Sequence, residues 1–463
     1  MASRYIIKPK PAPGRFPPIP KVLVERGDSC IKCGKCISVC IYDVHERDPS
    51  DVRLIADPVS YRCKNCFACV QNCPAGAISI RIHPDFEKLG DDIISPDMLL
   101  TIMKEAETGN TTVTGGGYGG LFSGNGFDGM WTDMSEIVRP TRDGIYGREY
   151  INTSVDLGRK PPDIRDLRFD AVGNPLTHIP PSLSVNLPIL FDTIHFPIHS
   201  ENILISVARA SAELGTLAII DNDQIIESLG PYSSNIIPSI HPENIPWGKL
   251  LEIARKNSIV ELFYSPGLSG LPESLKKANS ELIVMVRIIE PEDPADISLR
   301  LFKEGVDVIH LFSRRNLPEI INRAHSTMID EKIRDQITII GSGGIGEAVH
   351  VPKAIIIGAD LVALSLPLLI AMECTLCMDC EKGKPCYREI DSISPDWGSS
   401  RLKNLMAAWH NQLLEILGAM GIREVSRLRG ELGRGIFAKD MAREFEHDLL
   451  SFKTSRIESG AIT

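Results

Sequence analysis

The sequence predicts an α/β protein: a TIM-like (β/α)8 barrel, with a small α+β module ahead of it and a helical segment behind it. Three patterns support this. From Leu187 onward, short apolar runs alternate with amphipathic stretches seven or eight times in about 190 residues, as a parallel sheet covered by helices requires. Eight cysteines fall between Cys30 and Cys73, in a segment too short for a large apolar core. Leu402, Leu405, Trp409, Leu413, Leu417 and Met420 share one face of a helix over Arg401–Met420. An open doubly wound sheet is the competing arrangement, and the number of β–α units favours the barrel.

Residues 1–21 hold prolines at positions 9, 11, 13, 17, 18 and 20 and read as an extended arm. Residues 22–90 form the cysteine-rich module. Residues 91–180 form a connector with a predicted helix at Pro96–Glu107. Its run Thr114-Gly-Gly-Gly-Tyr-Gly-Gly, followed by Gly124, Gly126 and Gly129, excludes a helix or a central strand. That run has no Walker pattern and no strand-flanked G-x-G-x-x-G, so a folded connector is a simpler reading than a phosphate loop. Trp131–Lys160 is irregular and charged, like an arm wrapped on another surface. Residues 181–390 form the barrel, with strands expected at Ile189–Asp192, Thr216–Ile220, Ile259–Tyr264, Leu282–Ile289, Val306–Leu311, Ile337–Ile340 and Leu361–Leu364. Ser200 is the expected N-cap of a helix to Leu214, and Gly215 its stop. Residues 391–463 are a helical region.

The chain has 463 residues, 43% hydrophobic and 24% charged, which is ordinary for a soluble protein of about three domains. A net charge of −10 argues against a nucleic-acid partner. Met1–Pro20 lacks the apolar core of a signal peptide. The longest uncharged apolar run, Leu361–Met372, is far short of the ~20 residues that span a bilayer, so no transmembrane segment and a cytoplasmic location are expected.

The cysteines are the most specific signal. Cys30, Cys33, Cys36 and Cys40 give C-x2-C-x2-C-x3-C. Cys63, Cys66, Cys69 and Cys73 repeat it with Pro74 directly behind, while Ile41 stands at the matching place in the first run. This is the bacterial two-cluster ferredoxin pattern, in which thiolates hold iron and the fourth cysteine of each run crosses to the other cluster. Cys30, Cys33, Cys36 and Cys73 are therefore expected to share one [4Fe–4S] cluster, and Cys63, Cys66, Cys69 and Cys40 the second. Zinc ribbons use two pairs rather than two fours, and disulfide frameworks do not favour this spacing. The remaining cysteines, Cys374, Cys377, Cys380 and Cys386, give C-x2-C-x2-C-x5-C and predict a third cluster, with zinc as the competing occupant. Twelve grouped cysteines leave no free nucleophile and indicate a reducing compartment.

Ile339-Ile-Gly-Ser-Gly-Gly-Ile-Gly346 closes a predicted strand with glycines, and Gly358-Ala-Asp360 precedes the next strand. Read as the last two loops of a barrel, Gly343, Gly344 and Gly358 are candidates to cradle the phosphate of FMN or of a phosphorylated substrate. His195, His199 and His241 lie near predicted strand or loop ends as candidate general acids, though a lone histidine is more often structural. Arg314 and Arg315 either bind an anion or stand solvated.

Residues 187–430 resemble the FMN-binding barrel of the glutamate synthase family. The resemblance rests on Gly343-Gly344, Gly358-Ala359-Asp360, the strand Leu361–Leu364, the apolar Leu368–Met372 leading into Cys374, and the helix Leu402–Gly421. A two-cluster module joined to this barrel is similar to the short archaeal-type large subunit, a form without the glutaminase domain. Ala2 likewise offers no N-terminal cysteine nucleophile. The resemblance implies FMN, with Ser365 in the phosphate turn. It implies a [3Fe–4S] cluster on Cys374, Cys380 and Cys386, while the additional Cys377 keeps a third [4Fe–4S] cluster open. It aligns the family's strand lysine near the flavin with Arg287, the candidate catalytic residue.

The departures are as specific as the match. The family's Gln-Gly…Lys-Pro-Gly-x-Gly-Gly segment is here Glu261-Leu-Phe-Tyr-Ser-Pro-Gly-Leu-Ser-Gly270. Its Ser-Gly-His-Asp-Gly-Gly-Thr-Gly loop is Phe312-Ser-Arg-Arg-Asn316, and its small-Gly-Ser turn is Leu364-Ser-Leu366. The leading expectation is an iron–sulfur flavoprotein passing electrons between clusters and FMN. It would act within a hetero-oligomeric complex, beside a ferredoxin or another flavoprotein or iron–sulfur subunit. The alternatives are a ferredoxin-linked glutamate synthase and a flavin-free scaffold that only carries clusters.

Overall fold

A computed structural model describes residues 5–111, 124, 126–134, 151–161, 167–177, 179–194, 196–197 and 200–445. The glycine run at 114–120 and the candidate acids His195 and His199 lie outside these residues.

In the N-terminal module, β1 (Val22–Arg26) precedes the short helices α1 (Lys35–Val39) and α2 (Ala68–Gln71). It pairs antiparallel with β2 (Ile78–Ile82). Its apolar core is small, with Val24, Val44, Ile55 and Ile78 packed against Cys36 and Cys69. So few buried side chains need an inorganic staple.

α3 (Pro96–Thr108) starts where Ser95 Oγ accepts the Met98 N–H at 3.3 Å and stops at Gly109, whose φ is 70°. It buries Leu99, Ile102 and Ala106 against the barrel core. β3 (Met130–Thr132) follows, and then β4 (Val155–Gly158) pairs antiparallel with β5 (Ser182–Val185).

The barrel takes eight parallel strands in chain order: β6 (Ile189–Asp192), β7 (Ala218–Asp221), β8 (Ile236–Ile240), β9 (Ile259–Phe263), β10 (Ile283–Ile289), β11 (Val308–Ser313), β12 (Thr338–Gly343) and β13 (Leu361–Leu364). β13 hydrogen-bonds back to β6 and closes it, so the sheet is not open. Nearly every strand residue is buried, which is why the strands read as continuous runs of Ile, Val and Leu. The connecting helices are α4 (Glu201–Leu214), α5 (Trp247–Lys256), α6 (Leu271–Ala278), α7 (Pro294–Lys303), α8 (Leu317–Asp330), α9 (His350–Ile357) and α10 (Leu366–Ala371).

The strand the sequence did not reveal is β8. Pro238 sits in its middle, and 3-10 turns at Asn222–Gln224 and Glu227–Asn235 replace the helix before it. Proline normally argues against a central strand.

α11 (Pro395–Ala419) begins at Pro395 rather than Arg401, using proline at a first-turn position. It packs against α4 and α3. β14 (Gly435–Phe437) pairs with β3, and α12 (Lys439–Glu444) follows. The N-terminal arm lies along α11. Asn404 bonds the backbone of Lys10 in both directions, and Arg401 donates to the Ala12 carbonyl at 2.8 Å. Among the described residues, no helix is long and apolar enough to cross a membrane.

Candidate redox site

The two N-terminal runs fold into two separate cavities. Cys30, Cys33 and Cys36 line one together with Cys73, while Cys63, Cys66 and Cys69 line the other together with Cys40. The exchange of the fourth cysteine follows from β1 pairing antiparallel with β2, which brings the end of the second run beside the start of the first. Among the described residues, no three His, Cys, Asp or Glu side chains are grouped to hold a single metal ion. Backbone N–H groups aim at the sulfurs: Lys32 at Cys30 and Asn65 at Cys63, both at 3.4 Å, and Ala77 at Cys73 at 3.3 Å. Such bonds favour a thiolate, and the Ala77 N–H holds the Cys73 thiol below its ordinary value.

The third run lies at the C-terminal mouth of the barrel. Cys374, Cys377, Cys380 and Cys386 line one side of a cavity of about 390 Å³. Gly343 at the end of β12, Ser365 after β13, and Phe312 near the end of β11 line the other. Ile194, Phe196, Ile345 and Leu366 give it apolar walls. The Ser365 hydroxyl is buried with no hydrogen-bond partner. Burial pushes the Cys374 thiol up to about 12, so a coordinated metal would have to displace its proton.

Arg287 lies beneath this cavity and does not line it. It is fully buried and forks onto Asp192 with contacts of 2.8 and 3.0 Å, and its Nε donates to Glu261 at 3.0 Å. His310 links the other Glu261 oxygen, at 2.6 Å, to Ser342, at 2.7 Å. Burial alone would raise the Glu261 carboxyl, but Arg287 and His310 outweigh it and hold it at about 2. The result is a buried, hydrogen-bonded polar layer across the barrel interior in which Arg287 is paired, not an exposed cation.

The other candidates named from the sequence lie elsewhere. Gly358 caps α9 at the opposite end of the barrel, where its backbone (φ 131°) faces the His325 ring and an added Cβ would lie 2.3 Å from it. The segment preceding a strand lies at the N-terminal face, so Gly358 cannot join Gly343 at a phosphate. Gly344 faces a neighbouring cavity of about 840 Å³ with Arg315, Asn316 and His350. Arg314 and Arg315 keep solvent-exposed side chains and pair with Asp91 and Asp92. His241 stacks on Phe263 with ring centroids 3.7 Å apart, outside the cavity lining.

Residues 317–423 match the family model described as a conserved region in glutamate synthase, and residues 29–78 match the 4Fe-4S dicluster domain. The archaeal-type glutamate synthase (NADPH) of Dehalococcoides mccartyi is 26% identical over 91% of this chain and 97% of its own length. The archaeal glutamate synthase (NADPH) of Archaeoglobus fulgidus is 27% identical over 91% and 95%. Over more than nine-tenths of its length the chain is thus similar to archaeal-type glutamate synthases. A crystal structure of mandelate oxidase with benzoyl-formic acid superposes with a TM-score of 0.43 at 15% identity, covering 75% of this chain and 96% of that one.

The match to the 4Fe-4S dicluster domain spans both N-terminal cysteine runs and supports iron–sulfur clusters there. The polar layer below the cavity was legible only in part. Asp192, Glu261, Arg287 and His310 each interrupt an apolar strand, and a charge inside a fully buried strand must find a partner. That signal marks the residues, but the strand sequences do not say which one pairs with which. Arg388, also on the cavity wall, carried no signal of its own.

Proposed function

We propose that the chain is the iron–sulfur flavoprotein subunit of an oxidoreductase. In this reading it passes electrons between the N-terminal clusters, a third cluster at the barrel mouth and FMN beside it. Its partner is a second redox protein, either a ferredoxin or another flavoprotein or iron–sulfur subunit. One observation supports this above the rest: a single cavity has four cysteines on one wall and Gly343 and Ser365 on the other. When bound, clusters exchange single electrons and FMN exchanges one or two.

The chain's own residues position these groups. The orphaned Ser365 hydroxyl suits a phosphate oxygen, and Ile194, Phe196 and Ile345 suit a flat apolar ring. β2 touches both N-terminal cavities, with Ile78 lining the first and Ile80 the second.

Glutamate formation, the activity in the relatives' names, fits this chain less well. A dicarboxylate needs fixed cations or N–H donors, and Arg287 is already neutralised by Asp192 and Glu261. Anaerobic purification followed by absorption spectroscopy and flavin extraction tests the proposal. About one FMN per chain, reducible together with the clusters by dithionite, is the expected result. A flavin-free protein after reconstitution with FMN would leave only the scaffold reading. Glutamate formed from 2-oxoglutarate and glutamine or ammonia at more than about one turnover per second would restore the synthase reading.

A further inference from the structure

The three cysteine runs share one backbone conformation around their second cysteine. In the first run, Lys32 and Gly34 flank Cys33 with φ of 57° and 76°. In the second, Asn65 and Phe67 flank Cys66 with 56° and 59°, and in the third, Leu376 and Met378 flank Cys377 with 53° and 57°. Five of these six are not glycine, and L side chains avoid the left-handed region because Cβ crowds the following carbonyl. The described residues hold ten non-glycine positions with positive φ, and half of them flank these three cysteines. Left-handed residues around a central one make the backbone concave and turn its N–H groups inward, a shape that binds anions and iron–sulfur centres.

The hydrogen bonding repeats as well. In the first two runs, the residue two beyond the first cysteine donates its N–H to that cysteine's sulfur, Lys32 to Cys30 and Asn65 to Cys63, and Leu376 holds the matching position behind Cys374. Cys377 occupies the place in this loop that Cys33 and Cys66 occupy in theirs, and it lines the same cavity as Cys374, Cys380 and Cys386.

We infer that the third site is a four-ligand [4Fe–4S] site with Cys377 as a ligand, not a three-iron site on Cys374, Cys380 and Cys386. A site built for three ligands would have no need to hold Leu376 and Met378 in a disfavoured conformation around a fourth cysteine. The inference rests on the reading of the third run as an iron–sulfur site, and the test separates the two.

Full-length protein, purified anaerobically, is analysed for iron and zinc and by Mössbauer and electron paramagnetic resonance spectroscopy, beside Cys377→Ser. The expected result is three equivalent sets of four irons in the wild type, with no three-iron signal. In Cys377→Ser, one set converts to the doublet signal of an oxidised three-iron cluster while the other two are unchanged. A stoichiometric three-iron signal in the wild type, retained in Cys377→Ser, would overturn the inference and leave the cluster reading standing. Zinc at the third site, or only two clusters after reconstitution, would overturn both. The wild-type Mössbauer spectrum decides the number of irons even if the variant does not accumulate.

Discussion

Gly90 donates its backbone N–H to the carbonyl of Thr375 at 3.3 Å, joining the exit of the N-terminal module to the loop between Cys374 and Cys377. The contact is held from both sides. Arg314 and Arg315, at the end of β11, pair with Asp91 and Asp92 directly after Gly90. Arg15 of the N-terminal arm reaches Glu373, just before Cys374. The module is therefore fastened to the barrel at the third cysteine run.

Arg314→Ala should loosen this junction without unfolding the protein. The Arg314 side chain is 40% exposed, and pairs of that kind add little stability. Electron transfer from the N-terminal clusters to the third site, followed by rapid-freeze spectroscopy, should slow several-fold and become less sensitive to salt. Unchanged kinetics would show that the pairs do not align the module.

Arg287→Met should act on stability. It strips the cation from Asp192 and Glu261, both fully buried, and breaking a buried pair in this way costs about 3–5 kcal/mol. Urea denaturation followed by far-ultraviolet circular dichroism measures the loss. A variant as stable as the wild type would mean that the polar layer contributes nothing net.

Lys353 gives the pH dependence. Burial lowers its ammonium to about 8, against a partial counter-effect from Asp128 and Glu347, and its Nζ donates to the Phe127 carbonyl at 2.8 Å. The folded protein then releases this proton at lower pH than the unfolded chain. Stability should therefore rise between about pH 8 and 10.5, by at most about 1.4 kcal/mol per pH unit. Lys353→Met should abolish that rise in denaturation midpoints measured across the window. An equal slope in both proteins would assign it to other groups.

The glycines separate mouth from base. At Gly343, whose φ is 100°, an added Cβ would lie 2.4 Å from the Ser313 carbonyl oxygen, so Gly343→Val should deform the cavity wall and release FMN while the N-terminal clusters keep their spectra. Gly358→Val should lower the melting temperature through its clash with His325 yet leave flavin bound in the protein that folds. Gly344→Ala, whose Cβ would meet the Arg314 carbonyl at 3.3 Å in the neighbouring cavity, should retain flavin. Flavin lost equally from all three would place the phosphate elsewhere.

Local sequence carried those features that depend on neighbouring residues. The helix Glu201–Leu214 was legible because Ser200 supplies an acceptor for Ile203 and Gly215 adopts φ 62° at its end, both effects of a single turn. The buried strands were legible because a parallel sheet covered on both faces leaves no polar side to alternate. β8 escaped because Pro238 contradicts a local rule that the closed barrel overrides, its neighbours β7 and β9 fixing it in register.

By itself, the sequence determined that twelve cysteines fall in three sets of four and that repeated β–α units make a parallel barrel, since ligand spacing and hydrophobic period are local quantities. Only the tertiary structure decided that Gly343 and Ser365 share a cavity with Cys374 while Gly358 lies at the other end. It also decided that Arg287 is spent on Asp192 and Glu261, 95 and 26 residues away in the chain. Position relative to the barrel's two ends depends on strand direction and closure. The pairing of buried charges depends on which strands face one another across the interior, and neither property is encoded in any short stretch of residues.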